Sequence, residues 1–237
     1  MEIIGGLKSR VEYIFKTSIE LSILNANVMF KKIKEEYMFS TMTDTKDNRI
    51  LLESGKYAKD GKEILITQLM FSSKNDSIGA LVLGTSDDCK IVLDAVCDII
   101  DSFKYFEKIS DLEKNVAYIT SGTVKLNVSP VAFFDPKLLE VMQETGITLK
   151  NDLYDIEIQP TGLSISIFLK PDLAKLSKMS LDSSKLAEIF NFSGPRMVQL
   201  FIENVDNYEK QRFGFSMDFD SDQAKKTLEQ IDKQFAK

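Results

Sequence analysis

The chain of 237 residues contains no histidine. Histidine is the one side chain whose unperturbed pKa lies near neutrality, and it is the commonest metal ligand in proteins. Its absence excludes Ser-His-Asp and Cys-His catalysis, the H-E-x-x-H zinc site and the iron site made of two histidines and a carboxylate. Any chemistry would have to use carboxylates, lysines, hydroxyl groups or a cofactor. The sequence therefore favours a protein that is not an enzyme.

Arginine and phosphate-binding loops are also scarce. The chain has 36 acidic and 30 basic residues, for a formal net charge of -6, and its only arginines are Arg10, Arg49, Arg196 and Arg212. Recognition of nucleic acid needs a basic surface, and arginine is its usual bidentate donor. Neither G-x-x-x-x-G-K-[ST] nor G-x-G-x-x-G occurs. These features weigh against nucleic acid and nucleotides as partners, and no cofactor is predicted.

Two cysteines and the absence of long apolar runs indicate the compartment. Cys89 and Cys97 fall on one predicted helix, about 12 Å apart along its axis, whereas a disulfide needs Cα atoms within about 7 Å of each other. We therefore expect both thiols to be reduced, as in the cytoplasm. No signal peptide is visible, and no apolar run is long enough for membrane insertion.

Hairpins followed by helices recur along the chain. Turn residues predict hairpins at Asp60-Gly61, at Ser121-Gly122, at 160–162 and, with a longer loop, between 197–205 and 212–219. Apolar periodicity and caps predict helices over 7–24, from Thr85 or Ser86 to about 103, after Asp135-Pro136, from Asp172 and from about Ser221; residues 25–42 fit neither period. The pattern predicts an α+β fold of mostly antiparallel sheets built from hairpins, with at least four helices packed on one face.

A charged, irregular segment at 108–115 is the best candidate for a boundary between subdomains. It divides the chain into two parts of similar size, residues 1–112 and 113–237. The first part reads as a helix, an antiparallel meander and a helix. The second reads as repeated units of a hairpin and a helix.

Carboxylates supply the candidate metal sites. Asp218, Asp220 and Asp222 resemble part of a calcium loop, but Gln223 stands where that loop needs glycine. If Asp218 and Asp220 share one strand face and Asp222 approaches from the following turn, these three would hold Mg²⁺ or Ca²⁺ with oxygen ligands. The alternative is that Asp220 and Asp222 cap and charge the last helix.

A second acidic group lies on the helix that begins near residue 86. Asp94, Asp98 and Asp101 form a stripe at i, i+4 and i+7. The stripe extends over about 10 Å, which is too far for one ion. An ordinary solvated helix face explains it equally well.

Two glycine turns are candidate anion sites because both expose backbone N–H groups. One comprises Ser193, Gly194 and Arg196, and the other comprises Thr85 and Ser86 at a strand-to-helix junction. Turn and cap roles are the alternative for both.

These features favour a non-catalytic, cytoplasmic interaction or assembly protein that binds a protein partner or itself. The first alternative is a Mg²⁺-dependent enzyme that uses carboxylates. The second is an α+β domain that senses a small molecule in an apolar pocket.

Overall fold

The computed structural model describes residues 1–18, 26–45, 49–59, 61–103, 108–128, 147–150, 155–158, 163–169, 196–202 and 210–235. Its helices are α1 (Ala26–Glu36), α2 (Ser86–Ser102), the single-turn 3₁₀ helix Ile109–Asp111, and α3 (Ser221–Phe235). Its strands are β1 (Glu2–Phe15), β2 (Thr41–Thr45), β3 (Arg49–Lys59), β4 (Lys62–Ser72), β5 (Ser77–Leu83), β6 (Lys114–Lys125), β7 (Ile147–Lys150), β8 (Asp155–Ile158), β9 (Leu163–Leu169), β10 (Arg196–Ile202) and β11 (Arg212–Met217). No helix of the described residues is long and apolar enough to cross a membrane.

The chain forms two compact units. The first unit comprises Gly6–Ser121 and Phe219–Lys225, and the second comprises Met1–Gly5, Gly122–Asp218 and Lys226–Lys237. In the first unit, hydrogen bonding orders the strands β2-β3-β4-β5-β1-β6. The pairs from β2 to β1 are all antiparallel.

Alternation of buried and exposed residues explains how the first unit builds its core. In β4, Ile64 and Ile66 are buried, whereas Leu65 between them is exposed, because successive side chains of a strand point to opposite faces. Helices α1 and α2 contribute their apolar stripes to the same core, where the rings of Phe30 and Phe71 pack edge to face with centroids 4.9 Å apart. Ile64 and Ile66 therefore lie on the core face, whereas residues 69–72 are buried in succession, so both faces of that half of β4 are covered.

In the second unit, the strand order is β6-β11-β10-β9, and β9, β10 and β11 pair antiparallel. Strands β7 and β8 form a separate antiparallel pair. Phe213, Phe215 and Met217 of β11 are buried, with Leu228 of α3. Large buried side chains therefore recur at every second position of β11, as they do at Ile64 and Ile66 of β4.

The expected fold class with at least four helices is wrong. The described residues contain three α-helices, and antiparallel sheet dominates them. Residues 7–24 were expected to be helical, but Glu2–Phe15 form β1 because Val11, Tyr13 and Phe15 are buried at a period of two. The helices expected after Asp135 and from Asp172 lie outside the described residues.

Two expected hairpins are also wrong. Ser121-Gly122 lies inside the continuous strand β6. Strand β8 pairs with β7, and β9 pairs with β10, so β8 and β9 form no hairpin with each other. The β3–β4 and β10–β11 hairpins, helix α2 and the last helix are confirmed. Residue 112 lies in the first unit, just before β6, and the division into residues 1–112 and 113–237 stays a prediction.

Candidate functional site

A group of polar residues in the first unit surrounds the start of α2. Thr85 is the N-cap, and its side chain accepts a hydrogen bond from the backbone N–H of Asp88. The Asp88 carboxylate accepts in return from the Thr85 backbone N–H and hydroxyl, both at 3.0 Å. This capping box satisfies donors that a helix start leaves open, so sequence and local structure agree here.

Lys62 at the start of β4 completes this group through an ion pair with Asp88. The Asp88 side chain is only 8% exposed, whereas that of Lys62 is 61% exposed. Burial pushes the pKa of Asp88 up, but hydrogen bonds from Lys62 and Thr85 outweigh burial and leave the pKa below its ordinary value. A Cβ at Gly84 would lie 2.6 Å from Asp88 Oδ2, so glycine makes room for the carboxylate. The charge is thus held in place by the fold.

The starts of α2 and α3 are joined by two serines. The Ser221 N–H donates to Ser86 Oγ at 3.1 Å, and the Ser86 N–H donates to Ser221 Oγ at 3.3 Å. The two hydroxyl oxygens are 3.0 Å apart. Each serine therefore satisfies a backbone donor at the start of the other helix, an arrangement that nothing in the sequence indicated.

The backbone N–H groups of the predicted anion site at Thr85 and Ser86 already donate hydrogen bonds within the chain. The Thr85 N–H bonds to Asp88 and the Ser86 N–H to Ser221. Ser193 and Gly194, of the other predicted anion site, lie outside the described residues, and Arg196 begins β10. Anion binding at either place stays a prediction.

The predicted metal ligands Asp218, Asp220 and Asp222 follow β11, which ends at Met217. The argument from a shared strand face therefore does not hold. Asp220 Oδ1 accepts from the Gln223 N–H at 2.8 Å, and Asp222 lies in the first turn of α3. Capping by Asp220 is confirmed. Among the described residues, no three Cys, Asp or Glu side chains come together as a metal site would require, and cation binding stays a prediction.

The acidic stripe of α2 supports the fold at two positions. The Tyr13 hydroxyl donates to Asp94 Oδ1 at 2.8 Å, and burial, followed by this bond, raises the tyrosine pKa. Asp101 accepts from the backbone N–H groups of Ile109 and Ser110 at 2.6 and 3.3 Å and so caps the 3₁₀ helix. These carboxylates bind protein groups on different elements rather than converging on one point.

Both cysteines lie on α2 and are free, as predicted, and the structure also shows that both are buried. Burial raises the pKa of each thiol to about 12. Cys89 Sγ also donates to the Ser9 carbonyl at 2.9 Å. A thiol in this state is a poor nucleophile near neutral pH, because the thiolate is the reactive form.

One exposed row on the sheet of the first unit was not predicted by any pattern in the sequence. Leu65 of β4 and Leu83 of β5 are cross-strand partners, and they are 47% and 46% exposed. Lys56 of β3 pairs with Leu65, and Lys8 of β1 pairs with Leu83. Directly paired residues share a face, so two exposed leucines lie between two lysines. We call Lys56, Leu65, Leu83 and Lys8 the leucine row.

No protein-family model matches the chain, and no curated protein matches its sequence.

Proposed function

We propose that this chain is a non-catalytic interaction or assembly protein, and that the leucine row is a surface for a protein partner. The observation that carries the proposal is the pair of exposed leucines at directly opposed positions of β4 and β5, where the pairing of these strands ends. Adjacent apolar side chains combine their area, whereas scattered ones do not. Since each leucine is about half exposed, covering the pair would contribute about 2 kcal/mol to binding.

The lysines indicate the chemistry of the partner. Lys8 is exposed and the Lys56 side chain is 44% exposed, one at each end of the leucine row. Opposite charges across an interface set register and association rate more than affinity. The fitting partner therefore presents apolar side chains between carboxylates. Lys56 lies 3.3 Å from Glu63 of the same sheet, and this exposed pair would rearrange at little cost.

The proposal includes a reducing, cytoplasmic location. Its support is that both thiols are free and buried, so no disulfide joins them, as is usual in a reducing compartment.

The test is photocross-linking in living cells. Benzoylphenylalanine placed at Leu65 or Leu83 should give a discrete protein adduct. The matched control is Val28, an apolar residue of α1 that is 58% exposed. Adducts at 65 and 83 that weaken when Lys8→Glu and Lys56→Glu are added support the proposal. Absence of adducts, or equal yield at Val28, contradicts it.

A second measurement addresses the enzyme and sensor alternatives. A thermal-shift screen with Mg²⁺, Ca²⁺, nucleotides and metabolites reports ligands, because a molecule that binds only the folded state raises its stability. We expect no selective rise in Tm. Turnover of a substrate that is lost on Asp98→Asn would replace the proposal with the Mg²⁺-dependent enzyme.

A further inference from the structure

Two buried polar atoms where β2 ends and β3 begins have no hydrogen-bond partner. They are Thr45 Oγ1 and Arg49 Nε, and with the Tyr37 hydroxyl they are the only such side-chain atoms found among the described residues. Thr45 and Arg49 lie directly opposite each other, so they share a face, with Cβ atoms about 4.5–5.5 Å apart. Buried polar groups are nearly always hydrogen-bonded, and an exception requires an explanation such as a bound ion or water. Two exceptions at one place point to a common ligand.

Hydroxyl groups continue this position across the sheet. Arg49 is paired with Ser72 of β4, and Ser72 is paired with Ser77 of β5. Ser77 donates a hydrogen bond to Glu12 Oε1 at 2.6 Å, whereas Ser72 Oγ accepts from the Asn75 backbone N–H at 3.3 Å and so keeps its proton for another acceptor. The cross-strand neighbours of Arg49 therefore offer hydrogen bonds but no negative charge.

The Arg49 guanidinium also has no counter-ion. Among the described residues it forms no ion pair, whereas the Arg10 guanidinium is paired with Glu12 at 3.0 Å. Glu53 lies four positions along β3 from Arg49, at about 13 Å, and both of its carboxylate oxygens already accept hydrogen bonds. Asp44 lies on the opposite face of β2 from Thr45, because successive residues of a strand alternate in direction. The positive charge is therefore not balanced by these carboxylates.

We propose that Arg49 and Thr45 bind a small oxyanion of the phosphate or sulfate class. A guanidinium donates to such oxygens in bidentate fashion, and the threonine hydroxyl supplies a further donor. A water molecule satisfies hydrogen bonds only, whereas an oxyanion also balances the charge. Both residues are partly exposed as a whole, so the anion approaches from solvent, and a rotation of the Arg49 side chain turns Nε toward it. The site is separate from the leucine row, whose Lys56 lies seven positions further along β3, and the inference does not rest on the proposed function.

The site should be weak and should not distinguish one oxyanion from another. It offers one cation in a chain with a formal net charge of -6, so we expect a dissociation constant of about 1 mM. Because it recognises charge and oxygen atoms alone, phosphate and sulfate should raise Tm together, without selectivity for one metabolite.

Thermal melts in sodium phosphate, sodium sulfate and sodium chloride, at equal ionic strength and pH, test the proposal. Tm of the wild type should rise with phosphate or sulfate along a saturating curve. Arg49→Gln should weaken the apparent affinity at least tenfold, and Thr45→Val should weaken it several-fold. Arg10→Gln is the matched control, since the Arg10 guanidinium already has a carboxylate partner, and it should respond as the wild type does. Exclusion of these salts from protein surfaces raises Tm of every variant alike, so the signal is the difference between Arg49→Gln and Arg10→Gln.

Urea unfolding in sodium chloride gives a second measurement. An unpartnered buried hydroxyl destabilises the folded state, so Thr45→Val should be at least as stable as the wild type in chloride and should lose only the gain that phosphate brings. If Arg49→Gln does not fold, Thr45→Val and Arg49→Lys, which keeps the charge but not the planar fork, decide the question through the same melts.

Three results would overturn the inference. They are a wild-type Tm that rises without saturation, equal responses of Arg49→Gln and Arg10→Gln to phosphate, and a Thr45→Val variant that is less stable than the wild type in chloride, which would show that the hydroxyl is already hydrogen-bonded. None of them bears on whether Leu65 and Leu83 cross-link to a partner, so the proposed function is tested separately.

Discussion

Replacing Asp88 with alanine should show how the first unit holds its second helix. The substitution removes the acceptor of the Thr85 backbone N–H and hydroxyl at the start of α2. A lost cap costs about 1 kcal/mol, and a buried donor left without a partner costs about 1–3 kcal/mol. The two effects share one donor, so we expect the free energy of unfolding to fall by about 2–3 kcal/mol.

The ion pair with Lys62 should contribute much less. The Lys62 side chain is 61% exposed, and ion pairs with an exposed partner are worth at most about 1 kcal/mol. Urea unfolding of Asp88→Ala, Lys62→Ala and the double variant, followed by circular dichroism, separates the contributions. If Lys62→Ala destabilises the protein as much as Asp88→Ala, the carboxylate serves mainly the ion pair and the capping argument fails.

The pH dependence of a second variant, Asp88→Asn, gives an independent check. The folded-state pKa of Asp88 is below its ordinary value. The carboxylate's contribution to the free energy of unfolding is therefore fully present above the unfolded-state pKa near 4, and it is lost as the pH falls through the folded-state pKa. The gap in stability between wild type and Asp88→Asn should therefore shrink below about pH 4. A gap that stays constant to pH 2 would show that the charge is not the stabilising feature.

Three further outcomes follow from buried polar groups. Asp232→Ala should lower the free energy of unfolding by about 2 kcal/mol, because it removes the acceptor of two hydrogen bonds, from the backbone N–H and the side-chain amide of the exposed Asn127. A smaller loss for Asp232→Asn, measured by urea unfolding, is the control. Wild type and Tyr13→Phe should give the same absorbance titration at 295 nm up to about pH 11, since burial and the hydrogen bond to Asp94 raise the pKa of Tyr13. A phenolate step near pH 10 that disappears in the variant would contradict this. Both thiols should react slowly with iodoacetamide at pH 8 and rapidly in denaturant, because burial raises their pKa values to about 12, and fast labelling of the native protein would show that the packing is wrong.

Local signals in the sequence predicted the elements whose causes are local. Thr85 and the aspartates after it predicted the start of α2, and a capping box forms there. Asp60-Gly61 predicted the hairpin that joins β3 to β4. In both cases the deciding interactions are made within a few residues. The partner of Asp88 on β4 was not predictable, because no local pattern links a lysine to a carboxylate 26 residues away.

Strand β1 shows where local periodicity fails. Val11, Phe15 and their neighbours fit a helical stripe as well as a strand, since a short apolar pattern satisfies both periods. The structure decides by pairing: Val11 lies opposite Ala80 of β5, and Tyr13 lies opposite Ile78. Pairing partners so distant in sequence override local propensity.

Glycine at 122 was predicted to turn the chain, but it has a packing role. A Cβ there would lie 3.2 Å from the Phe215 ring and 3.4 Å from the Gly5 carbonyl oxygen. Glycine inside a strand commonly marks such a close approach. Glycine is typical both of tight turns and of close packing within a strand. A hairpin was therefore predicted at a position where β6 continues as one strand.

The acidic stripe of α2 decides how the catalytic alternative has to be tested. Asp94 binds the Tyr13 hydroxyl and Asp101 caps the 3₁₀ helix, so replacing either one disturbs the fold as well as any chemistry. Asp98 is exposed on the same helix, and Asp98→Asn should leave the urea midpoint within about 0.5 kcal/mol of wild type. An activity lost in Asp98→Asn at unchanged stability would therefore indicate catalysis, whereas one lost only in Asp94→Asn or Asp101→Asn would indicate structural damage.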